Sequence, residues 1–273
     1  MPFSSEELQG FTAFAGELAD AARHETLPRF RSGASIVNKL EEKPGDDFDP
    51  VTDADREGER AIRALIEKTY PDHGVLGEEF GERKGAGPWR WVLDPVDGTR
   101  AFMCGGATWT TLIALEYEGA HVLGLIDQPF TDERWIAFDG VTRYARGGKS
   151  ETVRTSGLTD ISKARISTTD PLATGYFTEN EAAAYLRVAA ASRVARYSMD
   201  AYAYGLLAIG ELDIVLETSL QRHDYAALVP VIEGAGGAVS NWRGEKVGAD
   251  DRGEILAAAT PELHGRALGL LAG

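Results

Sequence analysis

The run Trp91-Val92-Leu93-Asp94-Pro95-Val96-Asp97-Gly98-Thr99 constrains this chain more than any other. An apolar strand delivers two carboxylates, three residues apart, into a Pro/Gly turn. Hard divalent cations such as Mg2+ take oxygen ligands and are poorly held by a single carboxylate. Asp94 and Asp97 can converge at such a strand end, and the Val96 carbonyl can join them. Gly98 lets backbone come close to an anion, and Thr99 brings a hydroxyl to the same place. A helix starting here would add free N–H groups that cradle an anion. The plain alternative is a solvated turn, since Asp-Pro and Asp-Gly are common turn dipeptides.

Further carboxylates sit where they could join this pair. Glu78 and Glu79 follow Gly77 after a short apolar run, Asp53 and Asp55 flank a helix start, and Asp224 opens an apolar helical stretch. Each has a bland reading as well. Asp55 completes a capping box with Thr52, Asp224 is a helix N-cap, and Glu78-Glu79 is a wet loop.

Around these residues the chain reads as mixed α/β. Ser4 and Glu7 form a capping box ahead of Leu8, Phe11, Phe14, Ala15, Leu18, Ala21 and Ala22, which recur at helical spacing as far as about Pro28. The stretch 41–50 is rich in Asp, Gly and Pro and reads as a surface loop. Thr52 opens a second helix, with Ile62, Leu65, Ile66 and Tyr70 as its buried stripe and Pro71 as its stop. Strand-like runs follow at Val75-Leu76, Trp89–Leu93, Trp109–Leu115, Val122–Ile126, Trp135–Phe138 and Leu212–Leu216. Gly119 suggests a hairpin between the third and fourth of these. Helical patterns appear at Glu179–Ala191, Asp200–Ile209 and Asp224–Gly234. Gly147-Gly148 marks a boundary between two subdomains, 1–148 and 149–273, folding as one catalytic unit.

Net charge and cysteine content exclude some functions. The formal charge of -15 repels nucleic acid and anionic membrane, so neither is an expected partner. It equally repels a phosphorylated substrate, so a phosphate site here needs local cations: metal ions, arginines or helix N-termini. The lone Cys104 precludes an intrachain disulfide or a Cys–Cys metal site, and reads as a small semi-buried residue. The N-terminus shows no basic segment followed by an apolar run, and nothing approaches 18 uninterrupted apolar residues. A cytoplasmic location is the expectation.

Taken together and in order, four segments resemble the inositol-monophosphatase family: Thr52-Asp53-Ala54-Asp55, Gly77-Glu78-Glu79, Asp94 to Thr99, and Asp224 through Gly236-Gly237. The family often has Trp before its last aspartate, where this chain has His223. Gly98 to Phe102, Trp109 to Leu115, Asp127-Gln128-Pro129, and Asp200-Ala201-Tyr202-Ala203-Tyr204-Gly205 look like the histidinol-phosphatase members, with Ala201 where Cys is usual.

The resemblance implies an α+β layered sandwich and hydrolysis of a small phosphate monoester with two or three Mg2+ ions per site. It implies Glu78, Asp94, the Val96 carbonyl, Asp97 and Asp224 as metal ligands. Thr99 and Asp55 become the pair that activates the attacking water, alongside Glu78. Gly98 and Thr99 bind phosphate, and Asp200 and Glu217 line the leaving-alcohol pocket. L-histidinol phosphate is the implied substrate, with inositol 1-phosphate as the alternative and an inactive regulatory relative as the non-enzyme alternative. Family members are commonly homodimers.

Overall fold

The computed structural model describes residues 4–33, 36–38, 50–173, 175–248 and 252–273. Helix α1 (Ser5–Thr26) starts at the expected Ser4–Glu7 capping box and passes into a 3-10 turn, Leu27–Arg29, at Pro28. Strands β1 (Ile36–Asn38) and β2 (Pro50–Thr52) form an antiparallel pair. Of the loop expected over 41–50, Pro50 begins β2 and residues 41–49 lie outside the described residues. Helix α2 (Asp53–Thr69) is capped by Thr52, with Asp55 returning the capping box.

Next come β3 (Gly74–Gly77), β4 (Gly81–Arg83), β5 (Trp89–Asp97), the short helix α3 (Thr99–Met103), β6 (Thr110–Tyr117), β7 (Ala120–Gln128), β8 (Glu133–Phe138), β9 (Val141–Arg146) and β10 (Lys149–Thr152). The second half holds β11 (Arg165–Thr168), α4 (Glu179–Ala191), β12 (Val194–Tyr197), α5 (Tyr202–Ala208), β13 (Ile214–Glu217), α6 (Arg222–Tyr225), α7 (Leu228–Gly234), β14 (Ala238–Ser240), β15 (Ile255–Ala258) and α8 (Pro261–Ala272).

An eight-stranded sheet runs β10-β9-β8-β7-β6-β5-β3-β4, antiparallel except where β3 lies parallel to β5. A five-stranded mixed sheet runs β12-β11-β13-β15-β14. Alternation along the strands sorts side chains to opposite faces. Trp91 and Leu93 of β5 face the α1/α2 layer, against Phe11, Phe14, Leu18 and Ile62. Val92 between them faces α5, α7 and the smaller sheet, against Leu207, Val231 and Val215. On β13, Ile214 and Leu216 turn instead to α4 and α8. The layers therefore alternate helix, sheet, helix, sheet, helix, which is the α+β layered sandwich expected. Each buried aromatic or aliphatic side chain in them contributes roughly 1.5–3 kcal/mol.

Four local expectations need correction. Gly147-Gly148 is the turn of the β9–β10 hairpin, so the first sheet extends to Thr152 and the chain leaves it only there. The single helix expected over Asp224–Gly234 is two, α6 and α7, because Pro230 has no N–H to offer the residue-226 carbonyl and its ring crowds it. Asp224 is the third residue of α6, not its cap, which is Gln221. Cys104 is exposed rather than semi-buried. Among the described residues, no helix is long and apolar enough to cross a membrane.

Candidate active site

The strand carrying the two aspartates does not end in a turn at Asp94. Strand β5 continues to Asp97, and its register with β6 slips between Asp94 and Asp97. Such a bulge bends the strand and re-aims its side chains. Asp94 Oδ1 accepts the Val96 N–H at 3.0 Å across it. Gly98 then turns the chain with φ 78°, a left-handed conformation, and caps α3. A Cβ on Gly98 would lie 3.0 Å from the Asp200 carboxylate, so this glycine allows a close approach to Asp200.

The sequence-predicted acids converge here from distant parts of the chain. Oxygens of Asp94, Asp97 and Asp224 all lie within 4.8 Å of one another. Asp224 arrives on α6, its Oδ2 accepting the Gln221 N–H at 2.6 Å. Asp97 Oδ2 accepts the Ala201 N–H at 2.8 Å, tying the cluster to the segment that leads into α5. Burial first, then the charges of Glu78, Asp97, Asp224 and Asp55, hold the Asp94 carboxyl well above its usual range. Burial, Asp200 and Asp224 do the same to Asp97, against the Ala201 hydrogen bond. Carboxylates crowded this closely repel unless protonated or bridged by a cation. An all-oxygen donor set of this kind suits Mg2+. Glu78 lies outside the three-carboxylate group but within electrostatic reach of Asp55, Asp94 and Asp97.

Thr99 and Asp55 meet as expected, with the Thr99 hydroxyl 3.1 Å from Asp55 Oδ1 and 3.1 Å from the Val96 carbonyl. Asp55 is fully buried, and its Oδ2 also accepts the Thr52 N–H at 2.9 Å and the Thr52 hydroxyl at 2.5 Å. Burial pushes its carboxyl up to about 6 against the pull of those Thr52 donors. It can therefore cap a helix and face Thr99 at once. Asp53 is exposed and does not join the cluster.

Asp200 is not a helix cap. Its φ is 46°, α5 has Ala201 as its N-cap, and its carboxylate sits against Gly98. Burial raises it to about 6 although Arg100 opposes this. Glu217, at the end of β13, is 4% exposed. It accepts the Thr169 N–H at 2.8 Å, the Thr169 hydroxyl at 2.9 Å and the Thr168 hydroxyl at 3.3 Å. Burial pushes it up to about 8, and Asp200 adds to the rise. His223, in the place of the expected Trp, puts Nε2 3.4 Å from Asp224 Oδ1.

Sequence reasoning missed Thr168 and Thr169, which hold Glu217; Arg100, which lies over the Tyr176 ring at 5.0 Å; and Glu59, a fully buried acid behind Glu78. Only Glu59 left a signal: a charged residue on the buried stripe of α2, one turn past Asp55.

Known proteins resemble this chain in sequence and fold. The chain is 42% identical to the chloroplastic bifunctional phosphatase IMPL2 of Arabidopsis thaliana over 245 residues, covering 89% of this chain and 67% of that protein. It is 33% identical to the histidinol-phosphatase of Chlorobaculum parvum, covering 88% of this chain and 89% of the relative. Among solved structures, an inositol monophosphatase from Zymomonas mobilis superposes with a TM-score of 0.84 at 36% identity, covering 99% of this chain and 100% of that one. Residues 7–272 match the inositol monophosphatase family, and the chain belongs to that family of metal-dependent phosphoric monoester hydrolases.

Proposed function

We propose that the protein hydrolyses L-histidinol phosphate to L-histidinol and phosphate, using two or three Mg2+ ions held by Glu78, Asp94, the Val96 carbonyl, Asp97 and Asp224. Bound Mg2+ would neutralise the phosphate and the charge that develops on the leaving oxygen. Asp55 and Thr99 handle the proton. The Thr99 hydroxyl donates to Asp55, which leaves its oxygen lone pairs free to orient the attacking water. As water bonds to phosphorus and the ester P–O bond breaks, the water's proton passes through Thr99 to Asp55, the leaving alkoxide takes a proton from solvent water to become the alcohol, and Asp55 then returns its proton to solvent. With its carboxyl at about 6, Asp55 is ionised at neutral pH and ready to accept. The backbone N–H groups of Gly98 and Thr99 would bind the phosphate oxygens.

The pair of acids beside the cluster, Asp200 and Glu217, carries the choice of substrate. Both are held up by burial, so each gains from a cation. Histidinol phosphate offers an ammonium group, while an inositol phosphate offers neutral hydroxyls. Charge-assisted hydrogen bonds are about twice as strong as neutral ones, and a site built for a charged partner penalises a ligand that leaves its acids unpaired.

A comparison of kcat/KM on the two esters tests the reading, with histidinol phosphate expected to be clearly preferred. Glu217→Gln should erode that preference more than it slows a generic phosphate ester. Equal or better efficiency on inositol 1-phosphate would overturn the assignment in favour of an inositol-1-monophosphatase. By family resemblance the same reading takes the working unit as a cytoplasmic homodimer, which light scattering on the purified protein would check.

A further inference from the structure

Behind the loop that carries Glu78 lies a charged residue with no part in the chemistry above. Glu59 is fully buried in the middle of α2. Its Oε2 accepts the Glu79 N–H at 2.7 Å, and its Oε1 accepts the Phe80 N–H at 3.3 Å. Arg63, one turn further along the same helix, donates Nε–H to Glu59 Oε1 at 2.6 Å and also bonds the Gly81 carbonyl. The two side chains thus grip the loop by its N–H groups at 79 and 80 and by its carbonyl at 81. On the other side, the Glu78 N–H donates to the Leu93 carbonyl at 3.3 Å, the residue before Asp94. Gly77 completes the arrangement, since a Cβ there would sit 2.0 Å from Glu59 Oε1.

We propose that Glu59 is a positioning residue: from α2 it sets Glu78 against Asp94 and in register with Asp55. Glu59 follows Asp55 by four residues, so both project from one face of one helix, about 6 Å apart along its axis. Every described link in the chain Thr99–Asp55–α2–Glu59–loop is a hydrogen bond or a rigid helix. Two other buried acids, Glu116 and Asp127, do a different job. Each joins two arginines from different elements and clamps secondary structure together. Glu59 instead spends most of its acceptor capacity on backbone beside a proposed ligand. A carboxylate is required because it alone offers two oxygens that only accept; an amide would turn an NH2 group toward an N–H or toward Arg63.

This inference rests on Glu78 as a metal ligand, so its test separates the two ideas. Mn2+ binding to the purified protein, followed by electron paramagnetic resonance, reads the site without turnover. Glu59→Gln should weaken Mn2+ binding by at least about tenfold, the usual cost of losing a residue that orients a ligand. The Mg2+ concentration for half-maximal phosphate release should rise by a similar factor, with KM for the ester unchanged and kcat largely restored at high Mg2+. Glu78→Gln is the reference. If it leaves Mn2+ binding intact, Glu78 is no ligand and the site reading itself fails. If Glu78→Gln weakens binding but Glu59→Gln, folded by circular dichroism, binds Mn2+ like the parent, the positioning role is refuted. Should Glu59→Gln not fold, Gly77→Ala decides: it keeps the Glu59 charge but crowds its carboxylate. The same weakening supports the proposal, and unchanged binding overturns it.

Discussion

Removing the Thr99 hydroxyl is the most direct probe of the proposed chemistry. Thr99→Ala deletes a group that lies 3.1 Å from Asp55 Oδ1 and 3.1 Å from the Val96 carbonyl. Proton handling by a positioned group contributes roughly 10²–10⁴ in rate, so kcat should fall by about that factor, or about 3–5 kcal/mol of barrier. Stability should change less. Asp55 keeps the Thr52 donors at 2.9 and 2.5 Å, so the fold loses one half-buried hydrogen bond to a charged acceptor, worth about 1.5 kcal/mol, or roughly 3–6 °C in Tm. Thr99→Ser retains the hydroxyl and should retain most of the rate. Asp55→Asn should be impaired to a similar degree as Thr99→Ala, because an amide oxygen cannot take the proton. The double variant should be about as slow as the slower single one, since residues that act as a unit are non-additive. The assay is phosphate release at saturating Mg2+ over a range of ester concentrations. If KM rises while kcat holds, Thr99 is a phosphate ligand only. If the two single losses multiply in the double variant, Thr99 and Asp55 do not act together.

Asp94→Asn should reduce turnover by orders of magnitude through a weakened metal position, yet leave the metal-free Tm unchanged or raised, because it removes one charge from a crowded buried set; near-normal turnover in Mg2+ would take Asp94 out of the coordination shell. Glu116 governs acid stability. Burial raises its carboxyl, but the donors His121, Arg222 and Arg90 outweigh that and pull it down to about 2. A carboxyl depressed in the fold contributes stability above its unfolded value near 4.5, and this is lost as pH falls toward 2, up to about 3 kcal/mol in all. The Tm of Glu116→Gln should therefore depend less on pH between about 4.5 and 2 than that of the parent, and parallel curves would refute the assignment.

Much of the architecture was legible because its signals are local. The Ser4–Glu7 and Thr52–Asp55 capping boxes, the apolar strand run Trp91-Val92-Leu93, and the β6–β7 hairpin each involve neighbours along the chain. The spacing of Asp94 and Asp97 marked them as a candidate cation-binding pair, but that Glu78, Asp55 and Asp224 gather with them was expected only from the in-order resemblance of four segments to a family; nothing in the spacing of Asp94 and Asp224 says that they meet. Where local reading failed, a local competitor had won. Pro230 split one helix into two, and the β9–β10 hairpin carried the first sheet past the glycine pair.

What tertiary structure alone decided is which groups face one another. Stacking the two sheets through α5 and α7 brings Asp200 to Gly98 and joins Asp97 to the Ala201 N–H. Packing α2 against the end of β3 turns Glu59, a second charge beside Asp55 on the buried face of α2, into the support of the next loop. Capping and periodicity act over a few residues and are written in the chain. The partners of a buried carboxylate are chosen by layer packing, in which residues far apart in sequence share one small, water-poor volume.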